Sequence, residues 1–247
     1  MAEYNISASE DSLLILSLDT SSRAGSVAVM RDGRVVADIT GEASLTHGQR
    51  LPGDLMRALD HAGVRLEDLA LLAVAAGPGS FTGLRIGIAA MQGLAFARAL
   101  KIVPVSTLDA LAHQIVRDAN EGGPIAPWLD AQRGEVFAGL YAADLEVMLS
   151  PPSAASPDAT LRLWQGLLPA DQAVTFAGDG AVRYKNAIES ALGDRAIVLP
   201  DVPSLAAAVA RIAASHPERA VLPHAVIPIY IRRPDVELAR ERSATRS

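Results

Sequence analysis

The sequence predicts an α/β protein with two similar lobes, each a mixed sheet flanked by helices. Three observations predict this class. Strand-length apolar runs alternate with helical patterns in the first half of the chain, a glycine- and proline-rich break follows at residues 120–127, and the opening pattern then recurs after the break. Recurrence on both sides of a break indicates internal duplication.

The first half follows the order β-β-β-α-β-α-β-α, which fits one α/β unit. A hairpin is predicted at Asp32-Gly33, because this dipeptide favours a tight turn between two strands. Ser80 is a good N-cap residue and is expected to start a helix. The predicted segments are strands at 13–20, 26–30, 34–39, 71–76 and 102–105, and helices at 49–62, at 80–97 and from Ser106 and Thr107 onward.

The two halves share a strand ending in Leu-Asp, a short polar turn with Arg and Gly, and a second apolar run. The pattern is L-S-L-D-T-S-S-R-A-G-S-V-A-V at 16–29 and W-L-D-A-Q-R-G-E-V-F-A at 128–138. The matched pairs are Asp19 with Asp130, Arg23 with Arg133, and, after a two-residue gap, Gly25 with Gly134. Two such starts indicate that the second lobe repeats the first.

The second half is less regular. Its predicted segments are a loop at 150–152, a helix at 161–168, a strand at 174–177, a turn at Gly178-Asp179-Gly180, a helix through Tyr184, Ile188 and Leu192, a helix at 204–214 capped by Ser204, and an extended segment at 228–234.

The whole chain is accordingly divided into a flexible N-terminal tail (1–12), a first lobe (13–119), a second lobe (120–234) and a charged tail (235–247).

The composition and the charge of the chain limit the classes of function that it can have. Half of the 247 residues are hydrophobic and a fifth are charged, as in a compact globular protein. The net charge is −6 and the only lysines are Lys101 and Lys185, which disfavours nucleic-acid binding by this chain alone. There is no cysteine, which excludes disulfides and thiolate chemistry. No signal pattern or membrane-length apolar run is present, so we expect a cytoplasmic protein without membrane contact.

Small residues recur at spacings of three and four along the predicted helix at 80–97, so one side is nearly bare backbone. Each interior glycine costs a helix roughly 0.5–1 kcal/mol relative to alanine. Close approach of another helix would explain them, and the alternative is a tightly packed core helix without a partner. The predicted partner or dimer interface comprises Ser80, Phe81, Gly83, Leu84, Gly87, Ile88, Ala90, Met91, Gly93, Leu94 and Ala97.

Phosphate-binding motifs do not fit the same glycines. A Walker loop needs a lysine after its last glycine, but Leu84 and Arg85 follow Gly83. The dinucleotide fingerprint needs a third glycine where Thr82 stands. The backbone N–H groups at the start of the helix could still hold an anion, which is a minor alternative.

A second candidate site follows the two Leu-Asp strand ends. A carboxylate at the end of a buried strand, followed by hydroxyls and a hairpin, is how actin/hexokinase-like ATPases hold a metal–phosphate group. The alternative is that Asp19 and Asp130 only cap their own turns. The second turn contains a single glycine, Gly134, so a phosphate clamp is incomplete. The predicted vestigial nucleotide or phosphate site comprises Asp19, Thr20, Ser21, Asp130, Gly178, Asp179 and Gly180.

Neither catalytic residues nor a metal site are predicted. No two of the five histidines have the i, i+4 spacing that places two imidazoles on one helix face. No G-x-S-x-G nucleophile pattern is present. His47 precedes a helix, where a cap or surface role is more common than that of a catalytic base.

Four segments resemble the TsaB (YeaZ) family, the dimerisation subunit of the bacterial machinery that makes threonylcarbamoyladenosine at position 37 of tRNA. They are L-S-L-D-T-S at 16–21, A-G-P-G-S-F-T-G-L-R-I-G at 76–87, L-D-A-Q-R-G-E-V-F-A at 129–138 and P-I-Y-I-R-R-P at 228–234. The second segment is highly specific. Together the segments span nearly the whole chain apart from its tails.

The resemblance implies a two-lobed actin/hexokinase-like (ASKHA) fold with duplicated hairpin-containing mixed sheets. It also implies a non-catalytic subunit whose helix at 80–97 packs on a homodimer mate or on the catalytic subunit TsaD. That subunit carries a His-x-x-x-His metal site, which this sequence lacks. A TsaE-like ATPase is a further implied partner, tRNA is contacted only through the complex, and no cofactor is expected beyond weak binding of ATP or ADP. The alternative is a stand-alone ATP-dependent enzyme or peptidase of the actin-like fold.

Overall fold

The computed structural model describes residues 13–119 and 122–232, so the predicted tails at 1–12 and 235–247 lie outside the described residues. In the described ranges the chain forms two five-stranded sheets. Helices cover both sheets, and the two sheets meet at a shared apolar core.

The first sheet has the strand order β3-β2-β1-β4-β5. Its central strand β1 pairs antiparallel with β2 and parallel with β4. Every residue of β1 is buried, as expected for an apolar strand covered on both faces. The strands are β1 (Leu14–Asp19), β2 (Ser26–Arg31), β3 (Arg34–Thr40), β4 (Leu71–Gly77) and β5 (Ile102–Ser106).

The second sheet has the order β10-β9-β6-β7-β8. Its central strand β6 pairs antiparallel with β7 and parallel with β9. The strands are β6 (Ile125–Asp130), β7 (Val136–Tyr141), β8 (Met148–Ala155), β9 (Val174–Ala177) and β10 (Ala196–Val198).

The two sheets have the same topology. Counted from its own first strand, each runs third, second, first, fourth, fifth, with the same parallel and antiparallel pairs. Asp19 and Asp130 are the last residues of equivalent strands. The structure therefore confirms the predicted internal duplication.

The helices of the first lobe agree with the sequence prediction. Ser80 caps α2, because its hydroxyl accepts a hydrogen bond from the Gly83 N–H at 3.2 Å. A left-handed Gly63 ends α1.

The α-helices of the described ranges, in both lobes, are α1 (His47–Ala62), α2 (Phe81–Arg98), α3 (Thr107–Ala119), α4 (Pro157–Trp164), α5 (Asp179–Arg183), α6 (Lys185–Leu192) and α7 (Ala206–Ser215).

One segment predicted as a break lies wholly in a strand, and a second lies partly in one. The segment Ser150-Pro151-Pro152 lies in β8 and not in a loop. Proline is compatible with this strand, because β8 is at the sheet edge and its outer side needs no N–H donor. The predicted break at 120–127 also extends too far, since β6 already begins at Ile125.

Helix starts in the second half differ from the prediction. The predicted helix at 161–168 is α4, which begins at Pro157 after the N-cap Ser156. Ser204 does not cap α7. Its hydroxyl instead donates to Asp38 at 2.7 Å, while α7 begins at Ala206.

Residues 206–229 return to the first sheet. Helix α7 packs on β1, β2 and β4, and the Ser17 hydroxyl donates to the Ala206 carbonyl at 2.7 Å. Val221 then forms an antiparallel bridge with Ile102 of β5. The predicted second lobe, 120–234, therefore contains the whole second sheet together with a segment, residues 206–229, that contacts the first.

Candidate functional site: the two faces of α2 and the interlobe cleft

Helix α2 is anchored at its start by the end of β1. The Ser80 N–H donates to the Ser21 carbonyl at 2.7 Å. Gly77 precedes the helix with φ +118°, and a Cβ there would lie 2.6 Å from the Ile229 carbonyl oxygen. Both contacts require the backbone of this turn to pass close to neighbouring segments, which explains the glycine.

The inner face of α2 packs within the chain. A Cβ on Gly83 would overlap the Thr20 carbonyl oxygen, and a Cβ on Gly87 would overlap Thr20 Oγ1. The side chains of Leu84, Ile88 and Met91 are buried in the same lobe. These five residues were predicted to contact a partner, but the structure places them against the chain itself. The two glycines therefore allow β1 to approach α2, and they do not face outward.

The outer face of α2 holds the rest of the predicted interface. Ser80, Gly93 and Ala97 are exposed, and a Cβ on Gly93 would meet nothing within 4 Å. Phe81, Ala90 and Leu94 are half-buried, and Ala90 and Leu94 pack against the apolar core of the first lobe. Exposed residues on the same face that the prediction missed are Thr82, Arg85, Ala89 and Phe96. Together with Gly93 they form the series 82, 85, 89, 93, 96, in steps of three and four, which could have identified them had the inner and outer faces been distinguished.

A C-terminal segment, residues 223–231, lies alongside the outer face of α2. The Gln92 side-chain amide donates to the carbonyls of Pro223 and Val226, at 2.8 and 3.0 Å. Nearer the start of the helix, Arg85 Nε donates to the Tyr230 hydroxyl at 3.0 Å. The rings of Tyr230 and Phe81 lie 5.4 Å apart. The segment is thus attached to α2 at both ends.

Three residues of the second candidate site, Ser21, Asp130 and Asp179, line a cleft of about 790 Å³ between the lobes, whereas Asp19 and Thr20 are buried behind it. Asp19 Oδ1 accepts the Ser21 N–H at 2.8 Å, and Asp130 Oδ1 accepts the Gln132 N–H at 3.0 Å. Each is the i to i+2 hydrogen bond of an Asx turn, so the two aspartates do cap their own turns. The alternative that they only cap these turns thus has geometric support.

Two side chains hold Asp130, one from the predicted Asp179 and one from Arg183, which was not predicted. Asp179 Oδ1 accepts the Asp130 N–H at 2.9 Å, and Arg183 donates to Asp130 Oδ2 at 2.8 Å. Gly178 and Gly180 lie against the β6 backbone, where a Cβ would come within 2.3 Å of the Trp128 carbonyl oxygen and 2.7 Å of the Leu129 carbonyl carbon. The glycines therefore permit close packing of α5 on β6.

Burial raises the pKa of two carboxyl groups of this candidate site. Burial raises the pKa of the Asp19 carboxyl; hydrogen bonds from Ser21 oppose this shift, and the nearby Asp179 charge adds to it. Burial is also the main cause that raises the pKa of Asp179. Asp130 already has Arg183 and Gln132 as partners. Both oxygens of Asp130 thus have partners within the chain, whereas a side-chain hydrogen bond is made by only one oxygen, Oδ1, of Asp19 and of Asp179.

His47 joins the first residues of α1 to the β1–β2 turn. Arg50 donates to His47 Nδ1 at 2.8 Å, so His47 Nε2 carries the proton and donates to the Ser22 carbonyl at 3.1 Å. Burial, reinforced by the Arg50 charge, lowers the pKa of His47. Arg50 also donates to the Ala24 carbonyl and pairs with Asp54. His47 is thus a structural contact between two segments.

The described part of the chain contains neither a metal-binding cluster nor a membrane-spanning helix. In the ranges 13–119 and 122–232, no group of three or more His, Cys, Asp or Glu side chains is arranged to hold a metal ion. Over the same ranges, no helix has the length and apolarity needed to span a membrane.

The duplicated strand order, with an aspartate at the end of each first strand, defines a protein of the two-lobed actin/hexokinase-like (ASKHA) class. Solved structures agree. A Pseudomonas aeruginosa protein described as similar to peptidase YeaZ superposes with a TM-score of 0.74 at 30% identity, over 89% of this chain and 100% of that one. Component A of (R)-2-hydroxyglutaryl-CoA dehydratase from Acidaminococcus fermentans, with a TM-score of 0.50 and 13% identity over 81% and 97% of the chains, shows the fold alone.

Sequence relatives identify the family. Residues 39–239 match the family model described as TsaD: tRNA N6-adenosine threonylcarbamoyltransferase. The tRNA threonylcarbamoyladenosine biosynthesis protein TsaB of Bacillus subtilis is 31% identical over 75% of this chain and 80% of that protein. The Escherichia coli protein of the same name is 39% identical over 53% and 55% of the two chains. This chain belongs to the TsaB (YeaZ) family.

Proposed function

We propose that this chain is a non-catalytic scaffold and activating subunit of the complex that forms N6-threonylcarbamoyladenosine at position 37 of tRNA. A role in tRNA threonylcarbamoyladenosine biosynthesis is supported by the names of its curated relatives. The finer part of the proposal is the mode of action: the outer face of α2 binds a TsaD-like catalytic subunit and thereby activates it.

One observation carries this proposal. The outer face of α2 exposes small residues, Ala89, Gly93 and Ala97, beside the apolar Phe96. A helix face with so little side-chain bulk permits a second helix to approach closely, so that packing is tight over a short contact. The inner glycines are explained by contacts within the chain, whereas Gly93 has no such explanation.

The hydrogen bonds of the cleft support the non-catalytic part of the proposal. Asp19 and Asp130 accept bonds from their own turns, and Asp130 is further paired with Arg183. A catalytic carboxylate needs oxygens free to contact a substrate, a water or a metal. We therefore expect no peptidase turnover by this chain and at most weak binding of ATP or ADP.

The proposed partners follow from the same assignment. We propose that the isolated chain forms a homodimer, that a TsaE-like ATPase joins the complex, and that tRNA is contacted only through the assembled complex. The net charge of −6 supports the last point, because a polyanion is repelled by an acidic subunit unless its partners supply basic surfaces.

A pair of matched substitutions tests the proposal. Ala89 is exposed on α2 and Ala191 is exposed on α6 of the second lobe. Ala89→Arg should weaken binding to the catalytic subunit by at least about tenfold, because an arginine prevents close helix approach, whereas Ala191→Arg should leave the affinity unchanged. Calorimetric titration with the purified catalytic subunit, together with a tRNA modification assay, gives the result. Unchanged affinity and activity of Ala89→Arg would contradict the proposal.

A further inference from the structure

Residues 229–232, which we name the strap, line the cleft between the two lobes. The same cleft is lined by the start of α2 from the first lobe and by the turn between β6 and β7 from the second. The lobes also share an apolar core, in which Ile15 of β1 and Ile125 of β6 belong to one cluster. The strap is thus a second connection between the lobes, and it lies at the cleft.

The first two residues of the strap are attached to the first lobe. The Ile229 N–H donates to the Ala76 carbonyl near the end of β4, at 2.7 Å. The Tyr230 hydroxyl accepts a hydrogen bond from Arg85 Nε at 3.0 Å, and the Tyr230 ring lies 5.4 Å from the ring of Phe81. Contacts with two different elements, β4 and α2, therefore fix this end of the strap.

The last residue of the strap is attached to the second lobe. Arg232 Nη1 donates to Glu135 Oε2 at 2.5 Å, and Arg232 Nη2 donates to the Ala131 carbonyl at 3.2 Å. The side chains of Arg232 and Glu135 are only 30% and 35% exposed, so solvent and salt screen this ion pair less than an open surface pair. One side chain thus makes a two-pronged attachment to the β6–β7 turn.

The turn that Arg232 holds has an unusual backbone. Gln132 and Arg133 have φ values of +62° and +56°, in the left-handed region that residues with a Cβ rarely adopt. Such residues persist where the surrounding structure fixes them, and they cluster at ligand clamps and switch regions. Arg232 supplies part of this fixation, because it binds Ala131 before the two residues and Glu135 after them.

We propose that the strap is a latch that holds the cleft at its observed width, with Arg232 as the catch on the second lobe. From Ile229 to Arg232 the chain advances by three residues, which span at most about 11 Å when fully extended. While both ends are bound, the end of β4 and the β6–β7 turn can separate no further than this reach allows. When Arg232 is released, the shared core remains as a hinge, and the walls of the cleft can move apart.

A latch is released at one end only. Loss of the Arg232 contacts frees the second lobe but leaves the first two strap residues bonded to Ala76 and Arg85. If Arg232 merely supported the segment, its loss would instead loosen the whole strap. The latch concerns this chain alone and does not depend on which subunit binds α2, so it can fail without the proposed function.

The distance between the lobes is the direct readout. Because the chain contains no cysteine, two introduced cysteines can carry spin labels without further changes. Met56 on α1 and Leu163 on α4 suit this purpose, since they are 56% and 61% exposed and belong to different lobes. In the chain labelled through Met56→Cys and Leu163→Cys, Arg232→Ala and Glu135→Ala should each shift and broaden the distance distribution measured by double electron–electron resonance.

Arg183→Ala is the matched control, because Arg183 and Asp130 form an arginine–carboxylate pair within the second lobe, at 2.8 Å. It should leave the distance distribution at its native form. The variant with both Arg232→Ala and Glu135→Ala should shift no further than Arg232→Ala, since the two residues act through one contact. Thermal unfolding of every variant checks that a shifted distance is not a lost fold.

Three outcomes would overturn the latch. The first is a native distance distribution in both Arg232→Ala and Glu135→Ala, which would leave the shared core as all that holds the lobes. The second is a double variant in which the two shifts add in full. The third is faster hydrogen exchange at the Ile229 amide in Arg232→Ala, read by nuclear magnetic resonance, because a latch released at one end leaves this amide protected.

Discussion

Gly87 and Gly93 belong to one helix but have opposite surroundings. A Cβ on Gly87 would overlap the buried Thr20 side chain, whereas a Cβ on Gly93 would meet open space. We expect Gly87→Ala to lower the free energy of unfolding by about 1–3 kcal/mol, since a packed contact must open. Gly93→Ala should raise it by about 0.5–1 kcal/mol, because alanine favours a helix more than glycine does.

Urea unfolding of the two variants in dilute solution measures both effects. Each variant adds one methyl group to the same helix, so each is the control for the other. Equal changes of the same sign would show that the two glycines do not differ in their surroundings, and the assignment of inner and outer faces would then be wrong.

The buried carboxyl of Asp19 should give the protein a specific pH dependence. Burial raises its pKa above the ordinary value of 3.8, so the folded state holds a proton more tightly than the unfolded state. The stabilisation from this group is complete below pH 3.8 and is lost as the pH rises through the raised pKa. Asp19→Asn preserves an oxygen that can accept the Ser21 N–H and removes the titration.

The measurement is the difference in unfolding free energy between the native chain and Asp19→Asn at several pH values from 4 to 7. The native chain should lose stability relative to the variant as the pH rises, on the order of 1 kcal/mol for each unit by which the pKa is raised. A constant difference over this range would show that the carboxyl titrates normally. The subtraction cancels the contributions of the other titrating groups that the substitution does not disturb.

At the scale of elements, one side chain, that of Gln92, makes two of the hydrogen bonds between α2 and the C-terminal segment. Gln92→Leu removes both hydrogen bonds to the carbonyls of Pro223 and Val226. We expect faster amide hydrogen exchange and proteolysis within residues 223–231, with a small change in global stability, because local opening needs less free energy than unfolding.

Gln114→Leu is the matched control for this prediction. Gln114 is on α3 and its amide donates to Asp118 of the same helix. This substitution should leave exchange in residues 223–231 at the native rate. If Gln92→Leu also leaves it unchanged, then other contacts, such as the bond between the Ile229 N–H and Ala76, suffice to hold the segment.

Elements with a local signal could be predicted from the sequence. The hairpin at Asp32-Gly33, the Ser80 cap and the strand at 174–177 depend on neighbouring residues, and the structure contains each of them. Elements fixed by distant contacts could not. Strand β8 tolerates its prolines only because it is an edge strand, and Ser204 bonds to Asp38 from another sheet. Neither relationship leaves a pattern within a short window of sequence.

The candidate sites show the same limit. The spacing of its small residues identified α2 as a helix with little side-chain bulk. Small residues recur on both sides of this helix, so their spacing alone does not distinguish the side that faces Thr20 from the side that faces solvent. The aspartates at the two strand ends were found because the motif repeats. The contact of α2 with the segment at 223–231 was not predicted, because Gln92 and its partners are more than 100 residues apart in the sequence.

At the scale of the whole molecule, the two sheets share one core. A single apolar cluster contains Ile15 of β1, Ile125 of β6, Leu111 of α3 and Val209 of α7. The Tyr141 hydroxyl of β7 donates to Asp109 of α3 at 2.7 Å, which adds a polar contact across the same boundary. We expect the two lobes to unfold together, because neither can separate without exposing this core.

The chain provides a convenient probe for this prediction. Its two tryptophans, Trp128 and Trp164, are both fully buried beside the second sheet, with ring centroids 5.9 Å apart. Their fluorescence therefore reports the second lobe, whereas far-ultraviolet circular dichroism reports both. The two denaturation curves should coincide. A fluorescence transition that clearly precedes or follows the dichroism transition would show that the lobes unfold separately.

The return of the chain to the first sheet has a consequence during synthesis. The first lobe lacks α7 and the bridge between Ile102 and Val221 until the last third of the chain has left the ribosome. Gln92 of α2 gains both of its backbone partners only after Val226 has emerged. A nascent or prematurely terminated chain therefore lacks part of the finished α2 surroundings, and under the proposed function we expect assembly to wait until translation has passed this point.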